Sequence, residues 1–544
     1  MIKATIYQKP NRDQSLRRRK LIKTAGAATI VFSMPSLARA VRTRPLKFVP
    51  VQELTMLDPT FAGTPHTRSH GYLVFDTLYG LDDTFTACPQ MIDGHAVEND
   101  GFVWRLRLRE GLRFHDGTPV LARDAAASIR RAAARDGLCQ ALMAATDELR
   151  APDDRTIVFR LNRPFPHLPV ALAGLGTITP IILPERLANT DAAKPITEMV
   201  GSGPYRFIAA DFVMGERSAY ERFEGYGPRP NGKPVYRSGP KVAHVDRVEW
   251  VTIDDASTAA SALQRGEVDW LQSVSADQVP LLAKDRNVVA KITEPTGSIG
   301  IMRFNHLHPP FDNPAIRRAL LGAVDQADIM NAVAGTDQRY WRDGVGLFHA
   351  GTPFANDAGI EVLSSPRDVG EARRAVAAAG YRGESVTVLA TGGSGYIPVL
   401  SQVGADLLRR VGMNVDLQMT DYATMARRIF KKESPGQGGW NVYFTPAEGA
   451  FNHTPATNDY IRGDGKSGAP GWPKSAMFEE LRQCWLDAGD LAEQRSIAVR
   501  AQRQLWLEVP YIPMGQWFRV TAHRRDLTDV PWGFAAFYGV RRSD

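Results

Sequence analysis

Four short clusters carry residue types that catalysis or metal binding would need. Gly465-Lys466-Ser467 matches the end of a phosphate-binding loop, in which backbone N–H groups cradle phosphates and a Lys neutralises them. That loop needs a Gly five positions before Gly465, where Tyr460 stands, and no strand leads into it. Gly392-Gly393-Ser394-Gly395 could present a nucleophilic Ser on a sharp turn, but Tyr396 follows where the last Gly should be. His306-Leu307-His308 and His115-Asp116 offer metal-ligating side chains, yet they lie far apart and lack the helical i, i+4 pair or Cys partners of a specific site. No Gly-x-Gly-x-x-Gly fingerprint follows a plausible strand. These clusters therefore read as turns and hydrogen-bonded histidines. No catalytic constellation, metal site or cofactor is expected.

Whatever such a chain does depends on the elements that position its side chains, and 544 residues exceed what one hydrophobic core organises, so two or more lobes are expected. The formal charge of +7 would suit a nucleic-acid partner if it were spread through the fold. Instead, residues 1–40 hold nine Lys/Arg against Asp13 alone, which leaves the remainder nearly neutral, so no nucleic-acid partner is expected. That leader has a basic start, an uncharged stretch from Thr24 to Leu37 and the small-residue pattern Ala38-Arg39-Ala40, an export signal whose cleavage leaves Val41 first. The stretch is shorter than the ~20 residues a membrane span needs. Arg18-Arg19-Lys20-Leu21-Ile22-Lys23 resembles a twin-arginine signal, implying export in the folded state; an Arg-rich ordinary secretory signal is the alternative. Cys88, Cys139 and Cys484 are too few and scattered for a disulfide framework and read as small buried side chains, although one pair could bridge in an oxidising compartment.

Strands and helices alternate, which predicts α/β layering. From Phe102 to Arg109 apolar and basic residues alternate, as a half-buried strand requires. Asp116-Gly117 marks a turn, Ala122–Arg135 a helix, and Thr156–Leu161 a strand stopped at Pro164. Asn313 is a natural N-cap before Pro314, with Ile316, Ala319, Leu320, Ala323 and Val324 at helical spacing. Val386–Ala390, Val399–Val411 and Met413–Met419 form a βαβ unit closed by Gly412. Helices follow near Met477–Ala488 and Glu493–Val509, then the extended Tyr511–Val520. The Pro- and Gly-rich stretch Tyr226–Val242 reads as a surface excursion.

Several blocks together resemble the family 5 extracellular solute-binding proteins, the peptide- and nickel-binding components of bacterial ABC importers. They are Leu57-Asp58-Pro59 with Val74–Leu78; Leu108–Pro119 with Ala122-Arg123-Asp124 and Ser128–Arg131; Gly201-Ser202-Gly203-Pro204-Tyr205-Arg206-Phe207; and Phe304-Asn305 with Pro310–Asn313 and Ile316–Asp325. The resemblance spans nearly all of the chain after the leader. It implies a periplasmic type II binding-protein clamshell, two lobes joined by a hinge plus an extra domain. The first lobe would comprise residues 41–72, 200–296 and 510–544, the extra domain 73–199, and the opposing lobe 297–509. The implied function is capture of a peptide-like or similar small solute by a periplasmic monomer and delivery to permease subunits in the inner membrane, not catalysis. An exported enzyme, a peptidase or metal-dependent hydrolase, is the alternative from another class, and a receptor for a membrane sensor or a periplasmic chaperone is a third.

In peptide-binding relatives an acidic residue pairs with the ligand's amino terminus, a role the resemblance leaves to Glu448. The Arg that dipeptide-binding relatives use for the ligand carboxylate has no counterpart in Thr391–Tyr396, so a free carboxylate would be held otherwise or be absent. Tyr396, Tyr422, Trp440, Tyr443, Phe451 and Trp517, with Gln516, are the candidates for the ligand's walls. Thr64 and His66, in the Phe61–Thr67 loop, are expected to line the cleft from the first lobe.

Overall fold

The computed structural model describes residues 44–543, apart from 177, 365, 366, 393 and 394. The expected export signal therefore lies outside the described residues. Two large sheets carry the architecture. A seven-stranded sheet runs, edge to edge, Val288–Ile292, Val520–Arg524, Trp270–Val274, Leu46–Val49, Arg247–Val251, Arg217–Arg222 and Tyr205–Phe207. A six-stranded sheet runs Trp341–Arg342, Tyr511–Trp517, Ser298–Phe304, Val442–Glu448, Ser385–Thr391 and Asn414–Thr420. Both mix parallel and antiparallel neighbours. A separate four-stranded antiparallel sheet, ordered Ile92–Glu98, Val103–Leu108, Thr156–Leu161 and Thr146–Arg150, is inserted in sequence between the Leu46–Val49 and Tyr205–Phe207 strands of the seven-stranded sheet.

Local patterning explains most of these elements. In Val103–Leu108 the side chains of Trp104, Leu106 and Leu108 are buried while Arg105 and Arg107 face water. Ser298–Phe304 is covered on both faces, and its one charged member, Arg303, is satisfied by donating to the carbonyls of Tyr460, Ala469, Pro470 and Pro510. Ser385–Thr391 and Asn414–Thr420 pair in parallel across the helix Tyr396–Arg410, forming the expected βαβ unit. Gly404 lets that helix approach the sheet, since a Cβ there would meet the Phe444 ring at 2.1 Å. The helix begun by Asn313 and Pro314 stops at Leu321, earlier than its spacing predicts. Asp325 caps a new helix, Gln326–Ala334, by accepting from Asp328 N at 3.0 Å.

The sequence blocks meet in space. His115 Nε2 donates to Gly203 O (3.0 Å) and its Nδ1 accepts from Gly201 N (3.3 Å), which fixes the neutral tautomer. Burial pushes this imidazole down to about 4. The flanking glycines are needed for proximity: a Cβ on Gly201 would lie 2.0 Å from Val74 O.

Two expectations are corrected. The 226–242 stretch is a surface excursion only in its first half: Pro228 and residues 230–234 are exposed, whereas Tyr236, Arg237, Ser238 and Lys241 are buried, and Lys241 Nζ lies 2.7 Å from Asp76 Oδ1. Its prolines and glycines shape an irregular path that turns inward from Tyr236 on, a distinction composition cannot make. Nor does the chain enter the first sheet at residue 510. Tyr511–Trp517 pairs with Ser298–Phe304 in the six-stranded sheet, and only Val520–Arg524 joins the seven-stranded one. The three cysteines are free thiols, Cys139 buried, Cys88 half-buried and Cys484 exposed.

Candidate binding cavity

The chain passes between the two large sheets in two short connections, Thr293–Gly297 and Phe518–Arg519. A cavity of about 70 Å³ opens beside them. At roughly 10–15 Å³ per water, it has room for about five waters. Three further segments complete its wall: the helix Pro65–Val74, the Glu448–Phe451 turn that ends the strand Val442–Glu448, and Gly533–Ala535 near the C-terminus. Trp270, Gln272 and Thr521 contribute from the seven-stranded sheet. The lining thus draws on both sheets at the place where the chain crosses between them.

The apolar part of the wall is Phe451, Phe534, Trp270, Ala450 and Ala535. Its polar part is charged. Arg519 Nη1 pairs with Glu448 Oε1 at 2.9 Å. Glu294 accepts from Thr296 N (3.0 Å) and from the Thr296 hydroxyl. Burial, and secondarily the nearby Glu448, still raise its carboxyl to about 7 against the pull of Arg519. Arg68 is 5% exposed and sits 3.3 Å above the Phe451 ring centroid, while Arg237 stands over the same ring at 4.5 Å. Arg237 donates to Gly174 O (2.8 Å) and to the Tyr236 hydroxyl. Arg68 forms no ion pair among the described residues, and its Nε and Nη1 have no hydrogen-bond partner. Burial lowers its guanidinium to about 10.

The sequence candidates fall into three groups. Glu448 and Phe451 line the cavity. His66 borders it, since His66 Nε2 donates to Gln272 Oε1 at 3.0 Å and burial holds the ring neutral with a pKa of about 4; Thr64, two residues earlier, is the N-cap of the same helix, accepting from Thr67 N. The remaining six are elsewhere. Gln516 turns inward and spends both ends of its amide on Thr296 O, Ala350 O and Ala350 N. Trp517 is fully buried against Tyr396, ring centroids 4.8 Å apart. Trp440 and Tyr443 belong to a separate apolar cluster with Leu389, Met425 and Trp472, and Tyr422 is half-exposed on the helix it starts. Sequence reasoning missed Arg68, Glu294 and Arg519. A signal existed for Arg68 alone, a charge in a helix with no acidic residue in its first turn.

The tested motifs also find places. Lys466 N and Ser467 N both donate to Asp464 Oδ1 at 2.8 Å, so that stretch is an Asx turn. His306 and His308 bond backbone carbonyls of Pro510 and Lys432.

Comparison with known proteins places these features. The family model for bacterial extracellular solute-binding proteins, family 5, middle region, matches residues 86–468. The chain is 32% identical over 521 residues to the probable peptide ABC transporter periplasmic-binding protein y4tO of Sinorhizobium fredii, covering 95% of this chain and 97% of that one. It is 26% identical over 488 residues to the glutathione-binding protein GsiB of Pectobacterium atrosepticum, covering 87% and 89%. Among solved structures, the ABC transporter-associated periplasmic binding protein DppA from Helicobacter pylori in complex with peptide STSA superposes with a TM-score of 0.76 at 20% identity, over 92% of this chain and 98% of that one. That likeness shows the fold, the α/β type II binding-protein architecture expected from the sequence.

Proposed function

Since the chain belongs to the bacterial extracellular solute-binding proteins of family 5, we propose that it is the periplasmic receptor of an ABC importer, holding a peptide-like or similar small solute in the cavity beside the two crossings. The observation that carries this reading is the position of that cavity, walled from both sheets where Thr293–Gly297 and Phe518–Arg519 join them. Small backbone rotations in two short connections let two rigid sheets open and close on a ligand, and closure creates the surface a permease reads. The relatives named as peptide and glutathione binders support a ligand of that size. In this reading the seven-stranded sheet is the core of one lobe and the six-stranded sheet that of the other, with residues 73–199 as the extra domain. The chain works as a monomer, reaches the periplasm by its cleaved leader, and has no catalytic role.

Native mass spectrometry of residues 41–544, purified from a periplasm, tests the proposal. A discrete added mass that is lost on denaturation is expected. No added mass, together with no thermal stabilisation by peptides, metal chelates or opines, refutes it.

A further inference from the structure

Resting on that reading, we infer that the solute carries net negative charge and seats an anionic group on Arg68. The cavity and its rim hold three guanidiniums, Arg68, Arg237 and Arg519, against at most two negative charges, from the acidic side chains Glu294 and Glu448. Each group but one has a partner. Arg519 and Glu448 neutralise each other, Glu294 receives both Thr296 donors, and Arg237 is bonded to Gly174 and Tyr236. Arg68 is left with the face of Phe451 and with two nitrogens that bond to nothing.

A buried charge without partner or hydrogen bonds is unfavourable, and a guanidinium does not shed its proton to escape. An aromatic face compensates only in part. The arrangement becomes favourable when an anion, such as a carboxylate, enters the cavity that Arg68 lines and pairs with its guanidinium. The cavity volume suits that end group and the few carbons attached to it. Phe451, held between two guanidiniums, fixes where the fork points. A neutral or cationic solute leaves the cavity's excess of positive charge uncompensated and adds its own desolvation. Selection for acidic solutes thus follows from the charge count without a dedicated contact to the rest of the ligand.

Isothermal titration of the mature protein with the matched dipeptides Ala-Glu, Ala-Gln and Ala-Lys, together with identification of any solute retained after purification from the periplasm, tests this inference. Ala-Glu is expected to bind at least tenfold more tightly than Ala-Gln, with Ala-Lys weakest, and a retained solute is expected to be net anionic. Arg68→Met should lose at least tenfold in affinity for Ala-Glu. The unliganded variant's thermal midpoint should not fall, because a structural guanidinium would lower it whereas an uncompensated one would not; Arg68→Lys should keep part of the affinity. Equal binding of the three dipeptides, a neutral or cationic retained solute, or unchanged affinity in Arg68→Met overturns the inference while leaving the receptor reading intact. Absence of any retained solute and of binding by every dipeptide counts against the receptor reading itself.

Discussion

Replacing Lys241 by Met removes a charge while nearly preserving shape, and so measures what its burial is worth. Both side chains of the pair are at most 1% exposed, and Nζ lies 2.7 Å from Asp76 Oδ1. Asp76 also accepts from Thr77 N (2.9 Å) and the Tyr226 hydroxyl (2.9 Å), neither of which carries charge. In Lys241→Met the carboxylate therefore stays buried with dipoles but no cation. Breaking a buried pair in this way costs about 3–5 kcal/mol. With a urea dependence of about 3 kcal/mol per molar, that lowers the unfolding midpoint by roughly 1–1.7 M. Adding Asp76→Asn removes the stranded charge, and the double variant should recover at least half of the loss, because replacing both partners of a buried ion pair by uncharged side chains is often near-neutral. The assay is urea unfolding of the mature chain followed by tryptophan fluorescence, with the four corners of the cycle compared at one pH. A Lys241→Met midpoint within about 0.3 M of the parent would refute the reasoning, since it would mean that water reaches the pair and that the 236–241 segment is peripheral after all.

Two further outcomes follow from groups already described. Glu294 keeps its proton up to about pH 7 in the folded state, whereas an unfolded Glu releases it near its ordinary 4.5. The folded state therefore binds more protons between those values, and its stability falls as pH rises through that window, by at most about 3.4 kcal/mol at 1.36 kcal/mol per pH unit. Thermal midpoints from pH 5 to 8 should decline more steeply for the parent than for Glu294→Gln, and parallel curves would contradict the assignment. Thiol labelling under native conditions should modify Cys484 first and Cys88 slowly, with Cys139 protected until unfolding, because burial raises the last two thiols and withdraws them from solvent; early loss of Cys139 would be inconsistent with its placement.

Much of the fold was legible because its elements are locally consistent. Val103–Leu108 alternates, Asn313-Pro314 starts a helix, and Gly412, at φ +86°, ends the approach to a parallel strand that the helix before it requires. What composition misread was the second half of the 226–242 stretch. Turn residues report a bent path, and only the burial of Tyr236, Arg237 and Lys241 says which side of that path the protein lies on. Tyr511–Val520 reads as one extended run, and it is extended; that it leaves one sheet at Trp517 and enters the other at Val520 depends on pairing partners about 220 residues earlier in the chain.

The same dependence on pairing decides the site. Glu448 and Trp517 both stand opposite Ser298, at the end of the six-stranded sheet where the chain crosses, whereas Tyr443 stands opposite Arg303. Five residues at about 3.4 Å each put Tyr443 roughly 17 Å farther along the sheet. An aromatic on the right strand is therefore in the wrong place, and being an aromatic told nothing of its register. Trp517 has the right register but projects onto Tyr396 and the Gly300 backbone, so the residue that reaches the cavity is Arg519, just past the strand's end. Arg68, Glu294 and Arg519 come from segments more than 200 residues apart, and each is ordinary in its own neighbourhood. Their imbalance of charge exists only once the crossings bring them together, which is why the ligand's charge can be argued from the folded cavity and not from any motif in the chain.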